Sequence, residues 1–279
     1  MKNNDVMLET QNHTRIGAIM NLANMTHTQK LALLLSIIVI SIIAALFVPA
    51  IPQDIAYHQF ADQRRLLGIP NLLNVISNIP FIIVGYLGVN LLVKNQNACI
   101  FQEIYWAYTL FFIGVFFVGI GSGYYHLVPS NKTLIFDRLP MTVAFMAFFT
   151  IILSEFISIT VGKLMLIPLL ILGVFSVWYW YFTEQQGAGD LRLYGLVQFV
   201  PVLLTPLIIG LFLSAFSHTH LFWYFIGSYI LAKLFEASDS IVYQHLFQIS
   251  GHSIKHIIAS IGCYIFYLHL KQRHFNECS

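Results

Sequence analysis

Long uninterrupted hydrophobic stretches constrain the fold of this chain more than any other feature of its sequence. Eight of them match the ~20 residues that an α-helix needs to cross the hydrocarbon core of a bilayer. Hydrophobic residues make up 58% of the 279 positions and charged residues 9%, whereas soluble domains carry about 25% charged residues. We therefore predict an all-α membrane protein. The predicted spans are 31–49, 71–93, 104–127, 139–161, 164–183, 192–216, 221–243 and 252–270.

The segments between the predicted spans are short, which favours one helical bundle without a second soluble domain. We predict a polar N-terminal tail over residues 1–30, a helix over 31–50, a main bundle over 51–270 and a C-terminal tail over 271–279. A net charge of +2 gives no basic field suited to nucleic acid. The three cysteines form no C-x-x-C pair, so they predict neither a disulfide framework nor a thiolate metal site.

Unusual polar residues in the predicted spans fall on one side of the membrane. Consecutive spans run in opposite directions, so the end of an odd-numbered span and the start of the next span share a side. The residues grouped in this way are Asn74, Ser77, Asn78, Ser122, His126, Asp137, Glu236, Asp239, His252 and His256. Because an ionisable residue inside a span costs roughly 2.5–3.5 kcal/mol, their grouping at one depth indicates a functional site. Solvation at the headgroup boundary is the alternative for Glu236, Asp239 and Lys233.

Two histidines four residues apart predict a metal-binding face. His252 and His256 would stack on the same side of a helix, and the alternation of spans places His126 at the same depth. A catalytic zinc usually has three protein ligands and one open position, so these three histidines are the candidate ligands. Of the remaining histidines, His58 and His245 share that side, and His58 stays open as an alternative.

Asp137 and Ser122 are the candidate catalytic residues. A metal-activated water needs a general base, and Asp137 lies at the predicted junction between the third loop and the fourth span. Its alternative roles are a helix N-cap and an ion pair with Arg138. Ser122 lies one helical turn before His126, so its hydroxyl could donate to an oxyanion formed on the same face. The alternative for Ser122 is helix packing, together with the three glycines around it.

Four ordered sequence stretches match a known family. They are N-V-I-S-N at 74–78, G-S-G-Y-Y-H at 121–126, D-R-L-P-M at 137–141 and G-H-S-I-K-H at 251–256. In these motifs and their spacing the chain resembles the alkaline ceramidase family, part of a wider group of seven-helix membrane hydrolases that includes the adiponectin receptors. The resemblance covers about residues 54–270.

This resemblance implies a seven-helix transmembrane hydrolase bundle, to which the span 31–49 adds one extra N-terminal helix. The implied zinc ligands are His126, His252 and His256. The implied general acid/base is Asp137, and Ser122 is the implied oxyanion partner. The residues expected to surround these groups without binding the metal are Ser77, Asn78, Glu236 and Asp239. The implied reaction is hydrolysis of ceramide, or of a related acyl-amide lipid that enters from the bilayer, to a sphingoid base and a fatty acid.

Calcium is doubtful as a second cofactor. The animal enzymes of the family carry an acidic calcium-binding stretch before the first core helix. Here that region contains Asp54 and His58, and Asn71 stands where a glutamate is expected.

Two other functions stay open at this point, a hydrolase of a different lipid ester and a metal-containing membrane receptor. A receptor could keep the histidines but would not need both Asp137 and Ser122 beside them. A transporter is expected to show interrupted helices in paired positions, and a zinc metalloprotease an H-E-x-x-H motif. Neither pattern is found in the sequence.

The distribution of lysine and arginine predicts the orientation. Eight spans place both termini on one side, and the loops on that side carry slightly more lysine and arginine than the opposite loops. By the positive-inside rule, both termini are expected in the cytoplasm and the zinc site near the non-cytoplasmic face. The sequence makes no prediction about the oligomeric state.

Overall fold

Helices form the regular structure of the part of the chain that the computed structural model describes, residues 25–94, 98–246 and 248–276. In chain order they are α1 (His27–Phe47), α2 (Leu72–Ile76), α3 (Ile79–Val93), α4 (Tyr105–Leu127), α5 (Asn131–Phe156), α6 (Ile159–Gln185), α7 (Arg192–Leu211), α8 (His220–Ala237), α9 (Asp239–His245) and α10 (Gly251–Gln272). Two 3₁₀ helices, Ile55–His58 and Gln102–Ile104, lie in the loops.

Within these described ranges, seven helical segments are long and apolar enough to span a membrane. They are His27–Phe47, Leu72–Val93, Gln102–Leu127, Asn131–Phe156, Ile159–Gln185, Arg192–Leu211 and Gly251–Gln272. The prediction of an all-α membrane bundle is therefore confirmed. The predicted span 221–243 differs, since it is broken at Ser238 into α8 and α9 and is not one of the seven. Helix α8 nevertheless packs along α10, and it contains Lys233 and Glu236.

An aromatic core joins α4, α5 and α10. The ring of Phe266, which is almost completely buried, lies 4.9 Å from Phe111 and 5.4 Å from Phe148 between ring centroids. Aromatic pairs at such distances contribute about 0.5–1.5 kcal/mol beyond the area they bury. Helix α1 buries a single residue, Leu34, and contacts α7. It therefore lies at the periphery of the bundle, as expected of an added helix.

Helix α5 begins well before the predicted span 139–161. Ser130 caps it, because its hydroxyl accepts a hydrogen bond from the backbone N–H of Thr133 at 3.2 Å. The helix continues through Pro140, which membrane helices tolerate more readily than soluble ones. The predicted placement of Asp137 at a loop–helix junction is therefore wrong. Asp137 lies in the second turn of α5, and it does not cap that helix.

Helices α4 and α5 come into close contact at Gly121. A Cβ atom added there would collide with the carbonyl oxygen of Phe136. Pro140, four residues after Phe136, has no N–H to bond that carbonyl. Glycine at this position lets the turn that carries Ser122 approach the turn that carries Asp137.

Gly121→Ala is expected to lower stability by about 1–3 kcal/mol, the usual cost of overpacking a filled interior. Gly123→Ala is the matched control two residues later, since the nearest atom to its added Cβ would lie at 3.9 Å, an ordinary contact. Thermal unfolding of the purified proteins in one detergent measures the difference. Equal melting temperatures for the two variants would contradict a helix contact that requires glycine.

Both ends of the chain differ from the predicted tails. Helix α1 begins at His27 rather than at 31, because Thr26 and Gln29 form a reciprocal capping box. The rest of the predicted N-terminal tail, residues 1–24, lies outside the described residues. At the other end α10 continues to Gln272, and Arg273 is buried with its Nη1 2.8 Å from Glu155 Oε1. Residues 277–279 also lie outside the described ranges.

Candidate active site

The structure brings His126, His252 and His256 together at one end of the bundle. Their ring centroids lie 4.8 Å apart for His126 and His252, and 5.0 Å apart for the other two pairs. A possible ligand atom of each histidine lies within 4.8 Å of those of the other two. All three side chains are buried. The last turn of α4 carries His126, and the first two turns of α10 carry the pair.

The ring nitrogens of this cluster fit a metal ion. Neither ring nitrogen of His126 has a hydrogen-bond partner among the described residues, and His252 Nε2 has none either. The Nδ1 atom of His256 lies 2.8 Å from Ser77 Oγ, which leaves its Nε2 for a metal. Buried polar atoms in folded proteins are nearly always hydrogen-bonded. Three unpartnered nitrogens in one buried cluster are therefore the arrangement that a bound cation would explain.

The two other histidines on this side do not join the cluster. His58 is committed to hydrogen bonds through both ring nitrogens, at 2.8 Å to the Tyr125 hydroxyl and at 2.8 Å to Asn131 Oδ1. His245 is exposed, and its Nδ1 lies 2.9 Å from the carbonyl of Ile241. His58 is therefore removed as an alternative ligand.

Ser77 orients the ring of His256. Its hydroxyl donates to the carbonyl of Asn74 at 3.0 Å, so it accepts from Nδ1–H of His256. This assignment fixes the tautomer that leaves Nε2 unprotonated, as metal-bound histidines require. Asn78 Nδ2 lies 3.4 Å from the same Nδ1 and donates to the same carbonyl at 2.7 Å. Ser77 and Asn78 of the motif therefore both lie beside Nδ1 of His256.

The sequence grouped Asn74 with the polar residues of this side but gave it no role, and it joins three parts of the site. It is fully buried, and its Oδ1 accepts hydrogen bonds from Ser250 at 3.1 Å and Ser253 at 2.6 Å. Its Nδ2 donates to the carbonyl of Asp62 at 3.2 Å. Since Ser250 caps α10, Asn74 fixes the start of that helix against α2. The first asparagine of the N-x-x-S-N motif was the available signal.

Asp239 positions the backbone around the histidines rather than their rings. One carboxylate oxygen accepts from the N–H of His252 and the other from the N–H of Ala61, both at 2.9 Å. The neighbouring Phe60 covers the cluster, with its ring 4.6 Å from His126 and 4.8 Å from His252. The loop 51–70 therefore closes one side of the site. No sequence pattern singled out Phe60.

A cavity of about 210 Å³ adjoins the histidine cluster. The polar and charged residues that line it include Ser122, Asp137, Arg138, Gln198, Lys233, Glu236, Lys255 and His256. Glu236 pairs with Lys233 at 2.6 Å and also with Lys255. Its position is therefore that of a counter-ion for two lysines in the cavity wall. Ser122 and Asp137 share this cavity with His256, as a joint catalytic role requires.

A second cavity of about 160 Å³ extends into the apolar part of the bundle. It shares wall residues with the polar cavity, among them Phe81, Val118 and Met141. Its other walls are mainly aromatic and aliphatic, including Phe148 and Phe225. The two cavities together offer a polar end beside the histidines and an apolar end beyond it. This division suits an amphipathic ligand.

The acidic residues of the loop before α2 have partners of their own. Asp54 accepts a hydrogen bond from the N–H of Ala56 at 2.9 Å. Burial alone would raise the pKa of Asp62, but hydrogen bonds from Arg64 outweigh it and lower the pKa. Asn71, at the position expected for a glutamate, donates to the carbonyl of His126 at 2.8 Å. These contacts of the described loop give no support to a calcium site.

The sequence matches a model of a known protein family over most of its length. The model of the ceramidase family matches residues 68–277. The chain belongs to the ceramidase family. The match includes all four motif stretches and leaves α1 outside, and the resemblance found in the sequence is confirmed. As a member of this family the protein is a hydrolase that acts on the amide bond of ceramide. A search of curated proteins finds no match.

Proposed function

We propose that the protein is a zinc-dependent ceramidase that works inside the membrane, releasing a sphingoid base and a fatty acid. The observation that carries the proposal is the buried cluster of His126, His252 and His256, with unpartnered ring nitrogens beside a cavity. Three histidines with an open fourth position form the ligand set of a catalytic zinc. The presence of Asp137 and Ser122 in the same cavity favours an enzyme over a receptor with a structural metal.

The histidine cluster, Asp137 and Ser122 then each have a defined task. His126, His252 and His256 would hold the zinc ion, which would supply Lewis acidity to activate a water and polarise the acyl carbonyl. The carboxylate of Asp137 takes a proton from the attacking water as its oxygen adds to the acyl carbon. Asp137 returns that proton to the amide nitrogen as the C–N bond breaks. The hydroxyl of Ser122 donates to the former carbonyl oxygen while negative charge develops on it.

The acyl chain of the substrate would occupy the apolar cavity, and the headgroup would occupy the polar one. The shared walls of the two cavities support this placement, because the amide bond then lies near His256. A lipid ester of the same shape could occupy the same space. The amide is favoured here because the family match points to ceramide.

Removal of the metal tests the proposed function directly. Purified protein is expected to hydrolyse ceramide, to lose this activity after treatment with a chelator, and to regain it when zinc is added back. The released fatty acid is measured by mass spectrometry. Magnesium added in place of zinc is the control, since it prefers oxygen ligands to imidazole. Full activity in metal-stripped protein would overturn zinc dependence.

We also propose that the site faces the non-cytoplasmic side, following the charge bias of the loops. A cysteine at Lys132, an exposed position near the start of α5, is expected to react with a membrane-impermeant reagent on intact cells. A cysteine at the exposed Lys94, at the opposite end of the bundle, is expected to react only after lysis. The native cysteines are replaced first. The reverse labelling pattern would overturn the orientation.

A further inference from the structure

Arg138 is a buried cation of the polar cavity without a carboxylate partner among the described residues. Its exposed fraction is 6%, and it lines the cavity next to Asp137. The lysines of the cavity both pair with Glu236. The Nη2 atom of Arg138 donates to a neutral amide, Gln53 Oε1, at 2.7 Å. Its Nη1 atom has no hydrogen-bond partner within the described ranges.

Aromatic rings hold this guanidinium in place. Its Cζ atom lies 4.2 Å from the ring centroid of Trp180, 4.7 Å from that of Tyr194 and 5.7 Å from that of Tyr57. Stacking on ring faces stabilises the cation, but it supplies no acceptor for the free N–H groups. Trp180 Nε1 is likewise buried and finds no hydrogen-bond partner in the part of the chain that the structure describes. The region therefore has more hydrogen-bond donors than acceptors. A ligand with an acceptor oxygen would supply the missing partner.

We propose that Arg138 determines headgroup specificity, with Nη1 donating to an oxygen atom of the lipid headgroup. This inference rests on the proposed function and deepens it, because it names what the polar end of the site recognises. A guanidinium binds hydroxyl oxygens and, more strongly, anionic oxygens. In sphingolipids the acceptor can be a hydroxyl of the sphingoid base or a phosphate carried on it.

The decisive measurement is a ratio of kcat/KM values between substrates. The parent ceramide is compared with analogues lacking the hydroxyl at C1 or at C3, and with ceramide 1-phosphate. The wild-type protein is expected to prefer the lipid with the recognised oxygen by about tenfold to a hundredfold, the range for a hydrogen bond to a charged group. In Arg138→Met this preference is expected to disappear.

The pattern of loss identifies the acceptor. If Arg138→Met loses the preference for ceramide over a deoxy analogue, the acceptor of the Arg138 hydrogen bond is the missing hydroxyl. If it loses a preference between ceramide and ceramide 1-phosphate, the acceptor is the anionic phosphate. If Arg138→Met slows all substrates by one factor and leaves every ratio unchanged, Arg138 has a structural role and the proposal is overturned. Lys132→Met, which removes an exposed positive charge from the same helix, is expected to leave every ratio unchanged.

Two further variants separate specificity from stability. Gln53→Leu removes the partner of Nη2 but keeps the guanidinium, so it is expected to lower the melting temperature while the ratios stay. Arg138→Lys keeps the charge without the fork of donors. If Arg138→Met does not fold, the kcat/KM ratios of Arg138→Lys test the proposal instead. A reduced preference for the recognised lipid in Arg138→Lys supports the proposal, and an unchanged preference contradicts it.

A binding experiment distinguishes failure of the proposed function from failure of the inference about Arg138. Equilibrium binding of the same lipids is measured with intact Asp137→Asn protein, with and without Arg138→Met. If wild-type protein does not hydrolyse ceramide but binding still discriminates through Arg138, the function is wrong and the inference stands. If hydrolysis occurs and neither ratio nor binding depends on Arg138, the inference alone is wrong.

Discussion

His256→Ala is expected to remove zinc and ceramide hydrolysis together. The substitution deletes one of three imidazoles in a buried cluster, in which three ring nitrogens of His126 and His252 have no hydrogen-bond partner among the described residues. Elemental analysis of the purified variant should show most of the zinc gone, and hydrolysis should fall to the background level. His245→Ala is the matched control, because His245 lies on the same side but is exposed and bonded to its own helix. Full zinc content in His256→Ala would remove His256 from the site.

Ser77→Ala should give an intermediate result. It removes the acceptor that orients His256 while all three ligands remain. Loss of an outer partner of a metal-bound histidine typically costs about 10- to 100-fold in metal affinity or activity. Zinc titration against a competing chelator measures this change.

Asp137→Asn is expected to keep zinc and to lose activity by about 10²- to 10⁴-fold, the usual contribution of a general acid–base. The side chain keeps its size but can no longer accept the proton of the attacking water. Ceramide hydrolysis and zinc content are measured on the same preparation. Hydrolysis near the wild-type rate would remove Asp137 from the mechanism.

The control for Asp137→Asn is Asp54→Asn. Asp54 is exposed and caps the 3₁₀ helix of the loop, and asparagine caps helices about as well as aspartate. This variant is expected to behave as wild type. Ser122→Ala supplies a graded comparison, since loss of a single oxyanion donor costs about 2.7–4 kcal/mol, or roughly 10²- to 10³-fold in kcat.

The sequence predicted the histidine cluster because its spacing rules are geometric. Residues four apart share a helix face, and alternating spans bring distant segments to one depth. Those two rules grouped His126 with His252 and His256 without any knowledge of side-chain packing. They could not predict Phe60, because a loop residue that covers a site has no periodicity.

The boundaries of the helices were harder to predict from the sequence than which histidines lie together. The start of α5 was missed because Pro140 looks like a helix opening, whereas the true start depends on the cap at Ser130. The break at Ser238 was missed because the apolar residues resume after it at Ile241 and Val242, so that one span was extended across the polar residues between. Asn74 was seen as one more polar residue at a helix start, since its three partners lie far away in the sequence.

The buried ion pair of Arg273 with Glu155 has a consequence for the distant histidines. Arg273 follows the last turn of α10, and it also donates to the carbonyl of Cys99 at 2.7 Å. Asn74 holds the first turn of the same helix through Ser250 and Ser253. These contacts at both ends of α10 oppose sliding of the helix along its axis and rotation about it. The angular setting of His252 and His256 therefore depends on a contact near the carboxyl terminus, at the opposite end of the helix.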